Sequence, residues 1–318
     1  MQSEYKAWNK AAWEEVHGFY DSATTAEDFY GPANPQHRLA PEFFEFYRRN
    51  RPGRDATHAL SNALVMWSNL KGVSHQVQQE IRHISIEEDV WEEIASDLPR
   101  IFCADDREEE GLALLRDLAE RVVPLKGRTA LLFELSTGLM EKGEATEARE
   151  GFDRIIEWNA SEKHVIDARG YIHELDHLNP GQPAPLFTKD AVDGASIDLA
   201  GFLGRVVLLH FWGTSCGFCK LIYPDLRSLF QEYSVNDLAL VGLSYDQDPE
   251  SLRSTIREQR FTWPQICEGN GWKDEVFRLY NVRFAPTAYV IDRSGSIARK
   301  ITGGDRGDEL RELVRSLA

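Results

Sequence analysis

Residues 206–219 read Val-Val-Leu-Leu-His-Phe-Trp-Gly-Thr-Ser-Cys-Gly-Phe-Cys, and they constrain the chain more than any other stretch. Val206 to Trp212 form a nearly continuous apolar run, the pattern of a strand whose sheet is covered on both faces. After the two thiols, Leu221, Ile222, Leu226, Leu229, Phe230 and Tyr233 recur at helical spacing. Cys216 and Cys219 therefore sit where a strand hands over to a helix. A helix start offers unpaired N–H groups and the positive end of the helix dipole, and both stabilise a thiolate. Two thiols at this spacing can cycle between dithiol and disulfide. With Cys216 at the exposed turn and Cys219 one turn into the helix, Cys216 is expected to attack a partner disulfide and Cys219 to resolve the mixed disulfide.

The chain has 318 residues, enough for two hydrophobic cores and long for one domain. A formal charge of −16 sets it against nucleic acid and anionic membranes, whose phosphates would repel it. Only four cysteines occur, too few for a disulfide-stapled scaffold, and the two outside the pair, Cys103 and Cys267, read as buried thiols. No apolar run approaches the roughly 18 residues of a membrane span. The first residues lack the apolar core of a signal peptide and read as an amphipathic helix with Tyr5, Trp8, Trp13, Val16 and Tyr20 on one side. The chain as it stands is thus expected in the cytoplasm, or outside it if a leader has been removed.

Up to about residue 178 the pattern is helical, with breaks at Gly31-Pro32, Pro52-Gly53, Gly72, Pro99 and Gly127. Leu139 to Gly143, followed by Ala148, Phe152 and Ile156, has the spacing of the turn and second helix of a tetratricopeptide repeat. No second copy follows, so an irregular stack of helical hairpins is expected, serving a partner or the structure. Leu178 to Pro185 holds three prolines and a glycine, which stops the helix and marks a boundary between an all-helical domain, 1–180, and a second domain, 181–318. Beyond it the expected strands are Leu186 to Lys189, Ser196 to Leu199, Val206 to Trp212, Leu238 to Ser244, Thr287 to Asp292 and Ser296 to Thr302. Turns fall at Asp193-Gly194 and Arg293 to Gly295. Helices are expected after Cys219, over Pro249 to Arg260, over about Lys273 to Tyr280, and from Asp308 to Leu317. The β-α-β-α order implies parallel strands, closed by an antiparallel hairpin and a helix.

The second domain resembles the TlpA-like thioredoxin family within the redoxin and AhpC/TSA group. Pro183-Ala-Pro185, Phe187, Asp193-Gly194, Leu199, Gly204 to Val207, Phe211-Trp212, the CxxC, Pro224 and Ala285-Pro286-Thr287 carry the likeness. It implies an α/β thioredoxin fold, a mixed sheet flanked by helices, and disulfide exchange through Cys216 and Cys219. It also implies a cis Ala285–Pro286 bond facing the cysteines, with backbone groups there open to a substrate peptide. Trp212 belongs to the same constellation. His210 stands where thioredoxins carry a buried acid, which makes it a supporting candidate for proton transfer beside the plainer reading of a packed neutral imidazole. Ser215 replaces the usual tryptophan, Phe218 the common proline between the cysteines, and Ile222 the glutamate of relatives in cytochrome c maturation.

Other chemistries fit less well. A peroxiredoxin places its cysteine in Pro-x-x-x-Thr-x-x-Cys, whereas Thr214 stands two residues before Cys216 with no matching proline. His173-Glu-Leu-Asp-His177 matches HExxH, but the helix stops at once at Asn179-Pro-Gly and no third ligand follows. Half a zinc site at the CxxC lacks a second ligand pair. A fourth possibility is a non-catalytic interaction protein using the fold as a scaffold, against which the intact cysteine pair argues. The expected function is exchange of electrons with protein disulfides and a redox-partner protein, with no metal or organic cofactor.

Overall fold

The computed structural model describes residues 2–22, 32–304 and 306–318. The chain separates into two compact units, Met1–Arg169 and Gly170–Ala318.

The first unit is helical throughout its described residues: α1 (Gln2–Ser22), α2 (Gln36–Asn50), α3 (Arg54–Ser68), α4 (Ser74–Ile81), α5 (Trp91–Ile94), α6 (Asp97–Cys103), α7 (Glu108–Arg121), α8 (Leu125–Glu141), α9 (Ala145–Trp158) and the start of α10 (Glu162–His177). Helices α2 and α3 pack together, as do α7 with α8 and α8 with α9, which makes a stack of helical hairpins. In α1, Tyr5 and Val16 are buried and the Trp8 ring packs against Phe43 at 4.2 Å, while the side chain of Tyr20 lies outside the described residues.

The expected breaks divide. Gly31 lies outside the described residues, Pro52-Gly53 separates α2 from α3, and Gly72 turns with φ +77°. Pro99 sits in the first turn of α6, where a missing N–H costs no helical bond. Gly127 is not a break. It lies inside α8, where a Cβ would stand 2.7 Å from the Trp91 Cβ, so the glycine lets two helices touch. The chain turns instead at Val122 to Pro124. On α9, Ala148 and Phe152 of the repeat-like spacing are buried, and Ile155 rather than Ile156 completes that face.

The second unit takes in the end of α10 and then a small antiparallel pair, β1 (Thr188–Asp190) and β2 (Ser196–Asp198), joined at Gly194 with φ +88°. Its main sheet has the order β5-β4-β3-β6-β7, from β3 (Val206–Trp212), β4 (Leu238–Ser244), β5 (Gln265–Ile266), β6 (Thr287–Ile291) and β7 (Ile297–Thr302). β3 runs parallel to β4, and β4 to β5, while β6 and β7 are antiparallel. This is the mixed sheet of a thioredoxin fold. Every residue of β3 and β4 is buried, as continuous apolar strands require.

Alternation sends Val207, Leu209 and Phe211 to one face, against Phe277, Tyr280 and Tyr289. Val206, Leu208 and Trp212 go to the other, against α11 (Cys219–Glu232), α12 (Pro249–Gln259) and α14 (Gly307–Leu317). A five-residue helix, α13 (Glu275–Leu279), lies between β5 and β6. Asp248 caps α12 by accepting the Glu250 and Ser251 amides, with Pro249 as the first helical residue. Strand β1 begins two residues later than expected, because Phe187 is buried in the core ahead of the pairing.

Candidate active site

Cys216 and Cys219 form a disulfide at the carboxyl end of β3, with S–S 2.17 Å and Cα atoms 5.3 Å apart. Helix α11 starts at Cys219 itself, so the second thiol lies in the first turn rather than one turn in. Cys216 is 9 % exposed and Cys219 is fully buried. The Cys219 amide N–H points at the Cys216 Sγ from 3.1 Å, a helix-start donor that would stabilise a Cys216 thiolate once the bond is reduced. Pro224 lies inside α11, between the buried Tyr223 and Leu226.

The turn before Cys216 is held from the neighbouring strand. Asp246, just past β4, accepts the Thr214 amide at 3.0 Å, the Thr214 hydroxyl at 2.6 Å and the Ser244 hydroxyl at 2.6 Å. A carboxylate taking several hydrogen bonds is a strong anchor for a loop. Gly213 makes room for Tyr245, since a Cβ there would stand 2.3 Å from the ring. The Tyr245 hydroxyl lies 3.3 Å from Ser215 Oγ, and its ring stacks on Trp272 at 4.5 Å. Sequence reasoning missed Asp246, Tyr245 and Trp272. The available signal was that Ser244-Tyr-Asp246 ends a strand parallel to β3, and such strand ends build sites in α/β sheets.

Trp212 is buried beneath the turn and donates Nε1–H to Gln265 Oε1 at 3.0 Å. His210 is on the same face of β3, its ring parallel to that of Trp212 at 6.3 Å. Its Nε2 is buried with no hydrogen-bond partner among the described residues, and desolvation pushes the imidazole down to about 3. It is a neutral, packed histidine.

Ala285–Pro286 is cis, and the Ala285 carbonyl oxygen lies 3.5 Å from Cys216 Sγ. Among the described residues neither the amide nor the carbonyl of Ala285 bonds to another backbone group. The loop is fixed on both sides of it: the Thr287 hydroxyl donates to the Phe284 carbonyl at 2.8 Å, and the Gly303 amide donates to the Pro286 carbonyl at 3.0 Å. Phe218, Leu221, Phe284 and Trp272 leave their side chains exposed.

The remaining candidates lie apart from this chemistry. Cys103 is exposed, contrary to expectation, because it ends α6 one residue past the buried Ile101-Phe102 pair. Burial of part of its surface and nearby Glu108 push its thiol up, away from thiolate. Cys267 is half-buried, donates to the Asp246 carbonyl at 3.2 Å, and is likewise pushed up by desolvation. In the HExxH stretch, His173 Nε2 faces the Leu279 carbonyl at 3.3 Å, and Glu174 bonds Asn281 at 2.7 Å and Lys300 at 2.6 Å. Those side chains are committed within the fold. Among the described residues no three His, Cys, Asp or Glu side chains converge as metal ligands, and no helix is long and apolar enough to cross a membrane.

Residues 180–300 match the model of the AhpC/TSA family. The chain is 26 % identical over 149 residues to the thiol-disulfide oxidoreductase ResA of Bacillus cereus, a match over 47 % of this chain and 84 % of that protein. It is 30 % identical over 142 residues to the ResA of Oceanobacillus iheyensis, covering 43 % of this chain and 72 % of the other. Among solved structures it is similar to a thiol-disulfide oxidoreductase from Bacteroides fragilis, with 27 % identity and a TM-score of 0.38, over 42 % of this chain and 99 % of that one.

Proposed function

Because the chain belongs to the TlpA-like, thioredoxin-fold thiol-disulfide oxidoreductases of the AhpC/TSA family, we propose that it exchanges electrons with protein disulfides through Cys216 and Cys219. The observation that carries this reading is the asymmetry of the pair: Cys216 keeps 9 % of its surface exposed whereas Cys219 keeps none, and Cys219 supplies the N–H aimed at the Cys216 sulfur.

In the reducing direction the Cys216 thiolate attacks one sulfur of a partner disulfide. The partner's S–S bond breaks, one partner thiolate leaves, and a Cys216–partner disulfide forms. Cys219, as thiolate, then attacks the Cys216 sulfur and expels the second partner thiolate, leaving the Cys216–Cys219 disulfide seen in the structure. Two electrons pass to the partner, and solvent supplies the protons its thiolates take up. The oxidising direction is the reverse. The backbone groups of Ala285, which bond to no other backbone group among the described residues, support pairing with an extended partner segment beside Cys216. His210 serves packing in this reading, since an imidazole held at about 3 is a poor proton acceptor near neutrality.

The Cys219→Ser variant tests the order of events. Incubated with insulin, it should accumulate a covalent adduct that dithiothreitol releases, and the Cys216→Ser variant should form none. An adduct that forms through Cys219 alone, or no adduct at all, contradicts the assignment. We assign the helical domain, 1–180, the positioning of a partner, since Cys216, Cys219 and Ala285 all lie outside it and leave its helices without a part in the chemistry. Excess helical fragment should then compete for proteins trapped from extract by the Cys219→Ser variant, and trapping that is indifferent to it would refute the role.

A further inference from the structure

The HExxH stretch holds a buried acid with no part in the exchange chemistry. Glu174, on α10, is 6 % exposed, and a carboxylate so enclosed is tolerated only when charge and hydrogen bonds are matched. It accepts Lys300 Nζ from β7 at 2.6 Å and Asn281 Nδ2 at 2.7 Å. Asn281 is itself 4 % exposed and has φ +44°, a left-handed conformation that asparagine tolerates better than most residues. Its Oδ1 accepts Arg283 Nε at 3.0 Å, and the Arg283 guanidinium lies over the Tyr171 ring. Gly170 leaves the space for this arrangement, since a Cβ there would stand 2.4 Å from Arg283 Nη2 and 2.6 Å from Asn281 Oδ1.

Asn281 opens the segment that ends at the site. The Val282 amide donates to the Phe277 carbonyl at 2.7 Å, and three residues on, Ala285 brings its carbonyl to 3.5 Å from Cys216 Sγ. We propose that Glu174 is a positioning residue for disulfide exchange: through Asn281 and Arg283 it fixes the segment 281–285, so that Ala285 meets a partner beside Cys216. The proposal rests on the reading of Cys216 and Cys219 as the exchanging pair. Lys300 keeps the Glu174 charge in place, and Glu174 in turn orients an asparagine whose backbone sets the direction of the loop. The side chain acts through the loop and touches neither sulfur.

The test compares the full-length wild type with Glu174→Gln and Glu174→Ala. Reduction of insulin needs the loop, whereas reduction of a small aromatic disulfide needs only access to Cys216. For Glu174→Ala the KM for insulin should rise about fivefold or more while the small-disulfide rate stays within about twofold, and Glu174→Gln, which keeps an acceptor for Asn281, should fall between. Amide exchange over 282–287 should quicken about tenfold in Glu174→Ala with exchange in α11 unchanged. An unchanged KM, or equal losses on both substrates, overturns the proposal. Unchanged exchange over 282–287 overturns it independently of activity. A wild type that reduces neither substrate sinks the functional reading instead, and the exchange comparison still decides whether Glu174 holds the loop.

Discussion

At the residue scale the site works by inequality between chemically identical groups. Cys216 and Cys219 share one bond, yet only the first reaches solvent and only the second contributes a helix-start amide aimed at its neighbour. His210 offers a sharper test of environment. In the unfolded chain its imidazole titrates near 6.5, while in the fold burial pushes it down to about 3. The unfolded state therefore binds the extra proton between these values. The stability that neutral His210 contributes is complete above about 6.5 and is lost as pH falls toward 3. Denaturant melts of wild type and His210→Leu should diverge in this window, the wild type losing up to about 1.4 kcal/mol more per pH unit. Parallel pH profiles would mean that the imidazole is charged or solvated in the native state.

At the element scale, three neighbours of β3 hold the site up. Gly242, opposite His210 on β4, leaves room for the Gln265 side chain, which accepts the Trp212 indole N–H. A Cβ at Gly242 would stand 1.9 Å from Gln265 Oε1, so Gly242→Ala should displace that side chain and destabilise the protein by about 1–3 kcal/mol in urea melts. Asp246→Ala should release Thr214 and Ser244 together and cost about 1–3 kcal/mol by the same measurement, with slower insulin reduction because the turn carrying Cys216 loses its anchor.

Most strands and helices and the cysteine pair were legible in the sequence because their signals are local: an apolar run, a helical period, Asp193-Gly194 and Arg293 to Gly295 at turns; the two-residue β5 carries too short a pattern to be read. Asp246 was not, since its partner Thr214 lies 32 residues earlier, in the turn after β3, and nothing in Ser-Tyr-Asp announces that contact. Gly127 misled for the opposite reason. A glycine reads as a break by propensity, and here it permits contact between helices. Cys103 misled because composition favours burial, whereas a position at the end of a four-residue-spaced helix face decided it.

At the scale of the whole molecule, α10 begins among the helices of the first unit, and its residues from Gly170 belong to the second. A chain cut at Gly181 loses Glu174 and leaves Lys300 and Asn281 without their carboxylate. A fragment from Gly170 should therefore be more stable than one from Gly181 by about 3 kcal/mol, a difference read as a shift of the thermal midpoint. Equal midpoints would show that the ion pair adds nothing to the fold. The central claim, that Cys216 and Cys219 form a working redox couple, is tested most directly by equilibrating the full-length protein in glutathione and dithiothreitol buffers and counting free thiols. The expected result is one reversible two-electron transition between about −120 and −270 mV, the range of catalytic dithiols, and its loss in Cys216→Ser. A chain with no transition at any poise, or one that Cys216→Ser leaves intact, would contradict it.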